Sequence, residues 1–442
     1  MPIIRPIPAI CYAVPAGGDV SGLIAPPYDV LDEAQKDFLL RRSPHNLVAV
    51  DLPHLPAKTV GPDEVYVQAG ARFSDWVDRG ILERRADACM FVYRQTFTTG
   101  GQTHRRLGLV ANVPVRPLSD PRRSASAEGS IYPHEQTFSE PKEDRLKLMR
   151  ATRAQLSPIF GLYHDPDGRT NQLLLQIAQG ADPMMHGTTA NDGVLHELWS
   201  AATHTQQLSE AMADRDVFIA DGHHRYNTAV NYLNEMGATA AGPDHPARFC
   251  LFVLVSMQDP GMIVLPTHRA LGGMANFNFE RFVGAASPGL RVSPFDGSDL
   301  AALESALPGA GPHAMGLVHR QDGQRQLSIA TTAHEDPLAG QFADRSLSWR
   351  QLDVAIVQHL IVEQVCEPSF CAPGKPVKWR FPHSLDQLDR QLDGDDCQLG
   401  LVMQATPLDA VRQVSQAGEL MPQKSTFFYP KLATGLVINP VD

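Results

Sequence analysis

The stretch Val217-Phe-Ile-Ala-Asp221-Gly222-His223-His224-Arg225-Tyr-Asn-Thr-Ala-Val-Asn-Tyr-Leu-Asn-Glu-Met-Gly237 reads as a strand, a turn and a helix. Four apolar residues form a buried strand, and Asp221-Gly222 makes the turn. Tyr226, Ala229, Val230 and Leu233 then recur at i, i+3, i+4 and i+7, so one face of a helix is buried, and Gly237 supplies its left-handed end. Asp-Gly alone would make an ordinary strand-to-helix connection. Here, however, Gly222 lets backbone approach a ligand, and the first turn of the helix offers N–H groups and a positive dipole end to an anion. His223, His224 and Arg225 crowd the mouth of that site, and an arginine fork suits phosphate oxygens. The stretch is neither a Walker A loop nor a dinucleotide fingerprint, since the spaced glycines of both are missing.

Outward from this point the chain mixes strands and helices. Ile3-Ile4, Leu23–Ala25 and Leu47–Leu52 read as short strands ended by turns, with Pro26-Pro27-Tyr28-Asp29 following the second. Asp63 to Gly80 has helical spacing through Val65, Ala69, Phe73, Trp76 and Val77. The runs beginning at Cys89 and Leu107, separated by Thr98-Thr-Gly-Gly101, predict a hairpin. A helix is expected over Leu352–Val365, with strands around Leu399–Met403 and Gly435–Ile438. The fold class is therefore α/β or α+β around a mixed sheet. Polar or proline-rich segments at 117–133, 237–246 and 288–297 mark candidate boundaries. They suggest three parts: an amino-terminal part, 1–116; a phosphate-binding core, 117–272; and a carboxy-terminal part, 273–442.

The 442 residues are 43% apolar and 20% charged, enough to bury a sizeable core and too apolar for a disordered chain. A formal net charge of −11 argues against a duplex-DNA binder held by bulk charge, and no strong nucleic-acid signal is present. The start carries no secretory pattern, and the longest apolar run, Phe249–Val255, is too short for a membrane span. Six scattered cysteines and 17 histidines show no metal-site spacing, so a reducing, cytoplasmic setting is expected and the metal is left open.

Three further groups extend the candidate site. Pro133-His134-Glu135 places an acid and a base on a proline-bounded loop. Ser139-Glu140-Pro141 opens a helix, with Ser139 as its N-cap. That helix carries Lys142, Leu146, Met149, Arg150 and Arg153 within one sector, a pattern that fits either a helix lining an anion cleft or cationic stems covering apolar surface. Near the end, Lys424-Ser425-Thr426 precedes Phe427-Phe428-Tyr429-Pro430-Lys431, and Lys424 is the cation expected to act. His268-Arg269 offers a third cationic contact, and Asp29 is a turn-former or a weak ligand candidate.

The turn Asp221-Gly-His-His-Arg225 resembles the phosphate-binding turn of the ParB-like and sulfiredoxin superfamily, which includes CTP-using partition proteins and a free-serine kinase. A broader resemblance is to the domain-of-unknown-function 1015 family. It is carried by Pro26-Pro-Tyr-Asp29, Pro133-His-Glu-x-Thr137, Lys142-Glu-Asp-Arg145, Ser157–Tyr163, the Asp221 turn, Leu265-Pro-Thr-His-Arg269 and Met421–Lys431. The resemblance implies a nucleotide-binding core of mixed sheet with additional subdomains. It also implies a phosphotransferase using ATP or ADP with Mg²⁺ on a small hydroxyl metabolite, with free serine as one acceptor. In that reading Asp221, Glu135 and His223 are catalytic, and Gly222, His224, Arg225, Lys424 and Ser425 bind the nucleotide phosphates. His134, Arg269 and Lys142 bind the acceptor. The alternatives are a nucleotide-controlled switch of the partition-protein kind or a phosphodiester hydrolase.

Overall fold

The computed structural model describes residues 4–120, 130–135, 139–240, 242–394 and 396–442, leaving aside the side chain of Ser139. Thr137, the middle of the loop predicted at 117–133, and the N-cap side chain of Ser139 lie outside the described residues. The chain divides into two compact units, Met1–Ile263 with Pro430–Asp442, and Val264–Tyr429. The first takes in the amino-terminal part, most of the 117–272 segment and the end of the chain.

The first unit is built on a mixed sheet. Its described strands are β1 (Gly18–Asp19), β2 (Phe91–Thr99), β3 (Gln102–Pro114), β4 (Ile131–Tyr132), β5 (Ile159–Tyr163), β6 (Met185–Thr188), β7 (Leu195–Ser200), β8 (Val217–Asp221) and β9 (Phe249–Ser256). They run in the order β1-β6-β7-β2-β3-β9-β5-β8-β4. The β2–β3 hairpin forms as its sequence predicts, with Thr99 opposite Gln102 and both intervening glycines at positive φ, 56° and 75°. Central strand β9 is buried along its length, antiparallel to β3 and parallel to β5. β8 lies antiparallel to β5 and parallel to β4, near the edge of the sheet. Helices α1 (Asp63–Asp78), α2 (Ser139–Thr152) and α3 (His223–Met236) pack in series, α2 touching both others.

The second unit holds another mixed α/β arrangement. Its sheet contains β10 (Arg269–Gly272), β11 (Leu290–Pro294), β12 (Met315–Gln321), β13 (Gln324–Thr332), β14 (Lys378–Arg380) and β15 (Cys397–Val402), in the order β11-β13-β12-β15-β10-β14. No helix among the described residues is long and apolar enough to cross a membrane.

Some local expectations change. Leu47–Leu52 is not a strand: Val48–Asp51 is a helical turn, capped by the Asn46 carboxamide, which accepts from Val48 N–H at 3.0 Å and donates to the carbonyls of Gly22 and Ile24. A short, fully buried apolar run carries no periodicity to separate the two states. Leu23–Ala25 contributes only an isolated bridge from Ala25 to Thr434. The predicted helix over 352–365 starts as α-helix at Asp353 and widens to π-helical winding over Val357–Cys366. The last strand is Asn439–Pro440, just beyond the Gly435–Ile438 prediction.

Candidate functional site

The decisive stretch folds as read. Val217–Ala220 is buried in β8, Asp221 ends the strand, and α3 begins at His223. Gly222 sits at φ 93°, ψ 24°, in the left-handed region. A Cβ there would lie 3.0 Å from the Arg225 guanidinium carbon, so a side chain at this position would strain the backbone and displace Arg225 together. Tyr226 and Ala229 bury the inner stripe of α3, and the Tyr226 hydroxyl anchors it by donating to the Arg116 carbonyl at 2.7 Å.

Asp221 is clamped by two cations. Arg225 Nη2 lies 2.7 Å from its Oδ2, and Lys431 Nζ lies 3.1 Å from its Oδ1. Burial opposes the charge on this carboxyl, but Lys431 and Arg225 outweigh it and hold the group well below the usual carboxylate range. Arg225 also donates to the Pro158 carbonyl. Lys431 is held from behind: the Gln95 carboxamide donates to its carbonyl at 2.9 Å, and buried Arg106 donates to both Gln95 Oε1 and the Pro430 carbonyl. Lys431, 210 residues from Asp221, is the lysine of this stretch that the fold brings to the Asp221 carboxylate, whereas the sequence reading singled out Lys424.

His134 and His223 form a buried pair with ring centroids 4.7 Å apart, edge to face. His134 Nδ1 donates to the Ile219 carbonyl at 2.7 Å, and the His134 backbone N–H donates to His223 Nε2 at 3.3 Å. His223 therefore presents an acceptor nitrogen. Burial, reinforced by the neighbouring His134, pushes its pKa well below the ordinary value of 6.5, and burial lowers His134 as well. The pair pins the 133–135 loop to the end of β8, bringing half-buried Glu135 toward the start of α3. His224 is also lowered by burial, then by Lys58, and the charges of Glu135, Asp29 and Lys142 act on it too. Asp29 and Lys58 pair at 3.4 Å beside it.

A second ionic layer lies behind Arg225. Asp51 accepts from Ser157 Oγ at 2.9 Å and from Arg145 Nη1 at 3.3 Å. Arg145 Nε donates to Asp144 at 2.8 Å, and its guanidinium stacks over Tyr28 at 3.8 Å. Burial raises the Asp51 pKa, against the pull of Arg145. A cavity of about 40 Å³ is lined by Asp51, Arg145, Ser157, Arg225 and Thr228. Here the Pro26–Asp29, Lys142–Arg145 and Ser157–Tyr163 motifs meet.

On α2 the placement of Arg150 and Arg153 fits the second of the two alternatives, cationic stems over apolar surface. Arg150 is exposed and pairs with Glu235 at 3.0 Å, while Arg153 lies past the helix at φ 49° and reaches Asp442 at 3.8 Å. Leu146 and Met149 are buried, so cationic stems flank apolar surface, and Arg145 is the cation that turns inward.

Lys424, Ser425 and Arg269 belong to the second unit. Arg269 is buried and donates to the Thr267 carbonyl at 2.5 Å and to the Lys424 carbonyl at 3.0 Å, with its guanidinium 5.0 Å from the centroid of Phe381. Burial lowers its pKa to about 10. Ser425 Oγ donates to the Pro422 carbonyl, and its own carbonyl accepts from Thr406 Oγ1 at 2.7 Å. These contacts build a turn around Lys424, which has a φ of 59°.

A family model described as "Protein of unknown function (DUF1015)" matches residues 4–355. The chain belongs to the DUF1015 family. No curated protein matches it. Among solved structures, a free serine kinase in complex with AMP is 14% identical, covering 69% of this chain and 88% of its own, with a TM-score of 0.31. A conserved hypothetical protein from Pyrococcus furiosus is 14% identical, covering 69% and 92%, with a TM-score of 0.30. SbnI with a C-terminal truncation, from Staphylococcus aureus, is 9% identical, covering 75% and 87%, with a TM-score of 0.34. Likenesses this weak transfer neither activity nor ligand to this DUF1015 chain.

Proposed function

We propose that the Asp221–Arg225 turn binds the phosphates of a nucleotide, ATP or ADP, and that the protein is a phosphotransferase acting on the hydroxyl of a small metabolite. The observation that carries this reading is the convergence of Arg225 and Lys431 on one carboxylate at the start of α3. The first N–H groups of a helix have no carbonyl one turn back, so they favour an anion that also meets both cations. A phosphate chain offers Arg225 and Lys431 the charge they find in Asp221, with more oxygens in reach.

In this proposal Asp221 stays ionised and aims the two cations at the transferred group, while Glu135 orients the accepting hydroxyl. His134 and His223 position the loop that carries Glu135, and His223 remains a neutral positioning group because its Nε2 is occupied. The charge of Lys142 acts on His224 beside the same turn. Among the described residues no group of three His, Cys, Asp or Glu stands ready to hold a metal. Mg²⁺ would therefore be carried chiefly by the nucleotide, with Asp221 or Glu135 as its protein oxygen, and would neutralise phosphate charge there. The Asp-Gly-His-x-Arg pattern makes free serine the first acceptor to try.

The test is thermal stability of the purified protein with ATP, ADP, CTP and GTP plus Mg²⁺, in wild type, Arg225→Ala and Lys431→Ala. Nucleotide at about 100 times its Kd stabilises the native state by about 2.7 kcal/mol, an easily read shift. Stabilisation by an adenine nucleotide that both variants lose, followed by mass-spectrometric detection of phosphoserine, supports the proposal. No shift with any nucleotide, or a shift that survives in both variants, refutes it.

A further inference from the structure

The second unit holds a cavity of about 340 Å³, lined by both polar and apolar side chains, that no part of the phosphate chemistry uses. Its wall includes His313, Ser348, Gln351, Asp353, Gln404 and Thr406. The volume falls in the range of small-molecule sites. The decisive feature is how its hydrogen-bonding groups are already engaged. His313 Nδ1 lies 2.7 Å from Asp353 Oδ1, so the carboxylate fixes the tautomer in which Nδ1 carries the proton. Gln404 Nε2 donates to the Ala314 carbonyl at 2.9 Å, Thr406 Oγ1 donates to the Ser425 carbonyl at 2.7 Å, and Ser348 Oγ donates to Gln413 Oε1 at 2.7 Å.

These four side chains each give a proton to the protein and keep lone pairs at His313 Nε2, Gln404 Oε1, Thr406 Oγ1 and Ser348 Oγ, while Gln404 keeps its second amide N–H and Gln413, whose Oε1 accepts from Ser348, keeps its amide donors. No Lys or Arg is among the residues lining the cavity. An anion would meet the Asp353 carboxylate and these lone pairs with no Lys or Arg to neutralise it. A molecule with several hydroxyl groups would supply the protons these atoms lack, and the Gln351 carboxamide can both donate and accept. The backbone supports a built site, because His313 holds φ 51°, a left-handed conformation costly for a residue with a Cβ, just before β12.

We propose that this cavity binds a small, uncharged polyhydroxyl compound, with His313, oriented by Asp353, accepting one of its hydroxyl protons. The experiment is saturation-transfer NMR on the full chain with myo-inositol and glucose as probes, and with ethanolamine and inorganic phosphate as charged controls. The variants are His313→Asn, which tolerates the left-handed backbone, and Gln351→Ala, at an exposed position chosen to leave the fold intact. Saturation transfer to a polyol, weakened about tenfold (about 1.4 kcal/mol) in either variant and unchanged in Arg225→Ala, supports the proposal. Absence of transfer to both polyols, transfer unaffected by both variants, or preference for either charged control overturns it. Arg225→Ala separates this result from the nucleotide reading, since Arg225 belongs to the first unit and does not line this cavity.

Discussion

Replacing Gly222 by alanine tests the geometry of the Asp221–Arg225 turn directly. Two costs add. A residue with a Cβ at φ 93° pays about 1–2 kcal/mol for the left-handed backbone. The new Cβ would also lie 3.0 Å from Arg225 Nε and Cζ. A free arginine tip would swing away at little cost, but this one is bonded to Asp221 at 2.7 Å and to the Pro158 carbonyl. Losing a hydrogen bond of a charged group costs about 1.5–3 kcal/mol. Urea unfolding should therefore show Gly222→Ala less stable by about 2.5–5 kcal/mol, with nucleotide stabilisation abolished. A double-mutant cycle separates the terms. With Arg225 already alanine, only the backbone cost of about 1–2 kcal/mol should remain. If Gly222→Ala costs the same with and without Arg225, the two do not couple, and the argument that Gly222 is glycine to admit Arg225 fails.

Two pH dependences follow from buried groups. Lys431 and Arg225 hold Asp221 below its unfolded value near 3.8, so its contribution is complete above that pH and is lost as pH falls below it. Lys431→Ala should bring the two values closer, Arg225 remaining, and lessen the loss of stability in urea unfolding between about pH 4 and pH 2, by up to about 1.4 kcal/mol per pH unit; an unchanged slope would remove Lys431 as a cause. His196 is buried between Tyr93 and Thr189, at 2.6 Å and 2.9 Å, and burial lowers its pKa to about 3. The unfolded chain binds its proton first as pH falls through 6.5, so the protein loses stability from there down to about pH 3. His196→Gln should remove up to about 1.4 kcal/mol per pH unit of that slope, read by urea unfolding from pH 7 to pH 4; a parallel pair of curves would contradict the burial argument.

What the sequence determined by itself is local. Val217–Gly237 carried its strand, its glycine and its helical stripe within 21 consecutive residues, and the Thr98–Gly101 turn carried its hairpin, because spacing and φ requirements act between near neighbours. The mixed sheet followed from such pieces. Choosing between two lysines did not. Lys424 and Lys431 stand in one aromatic stretch, and nothing local distinguishes them, yet the chain passes from one compact unit to the other between Tyr429 and Pro430. Lys424 is thereby left in the turn held by Arg269, while Gln95 and Arg106 seat Lys431 on Asp221. The buried layer of Asp51, Arg145 and Ser157 was equally hidden, since an ionisable residue in a helical turn reads as surface until its partner is known. Tertiary structure decided these cases because a charge becomes part of a site through the groups folded against it, and those groups lie up to 336 residues away.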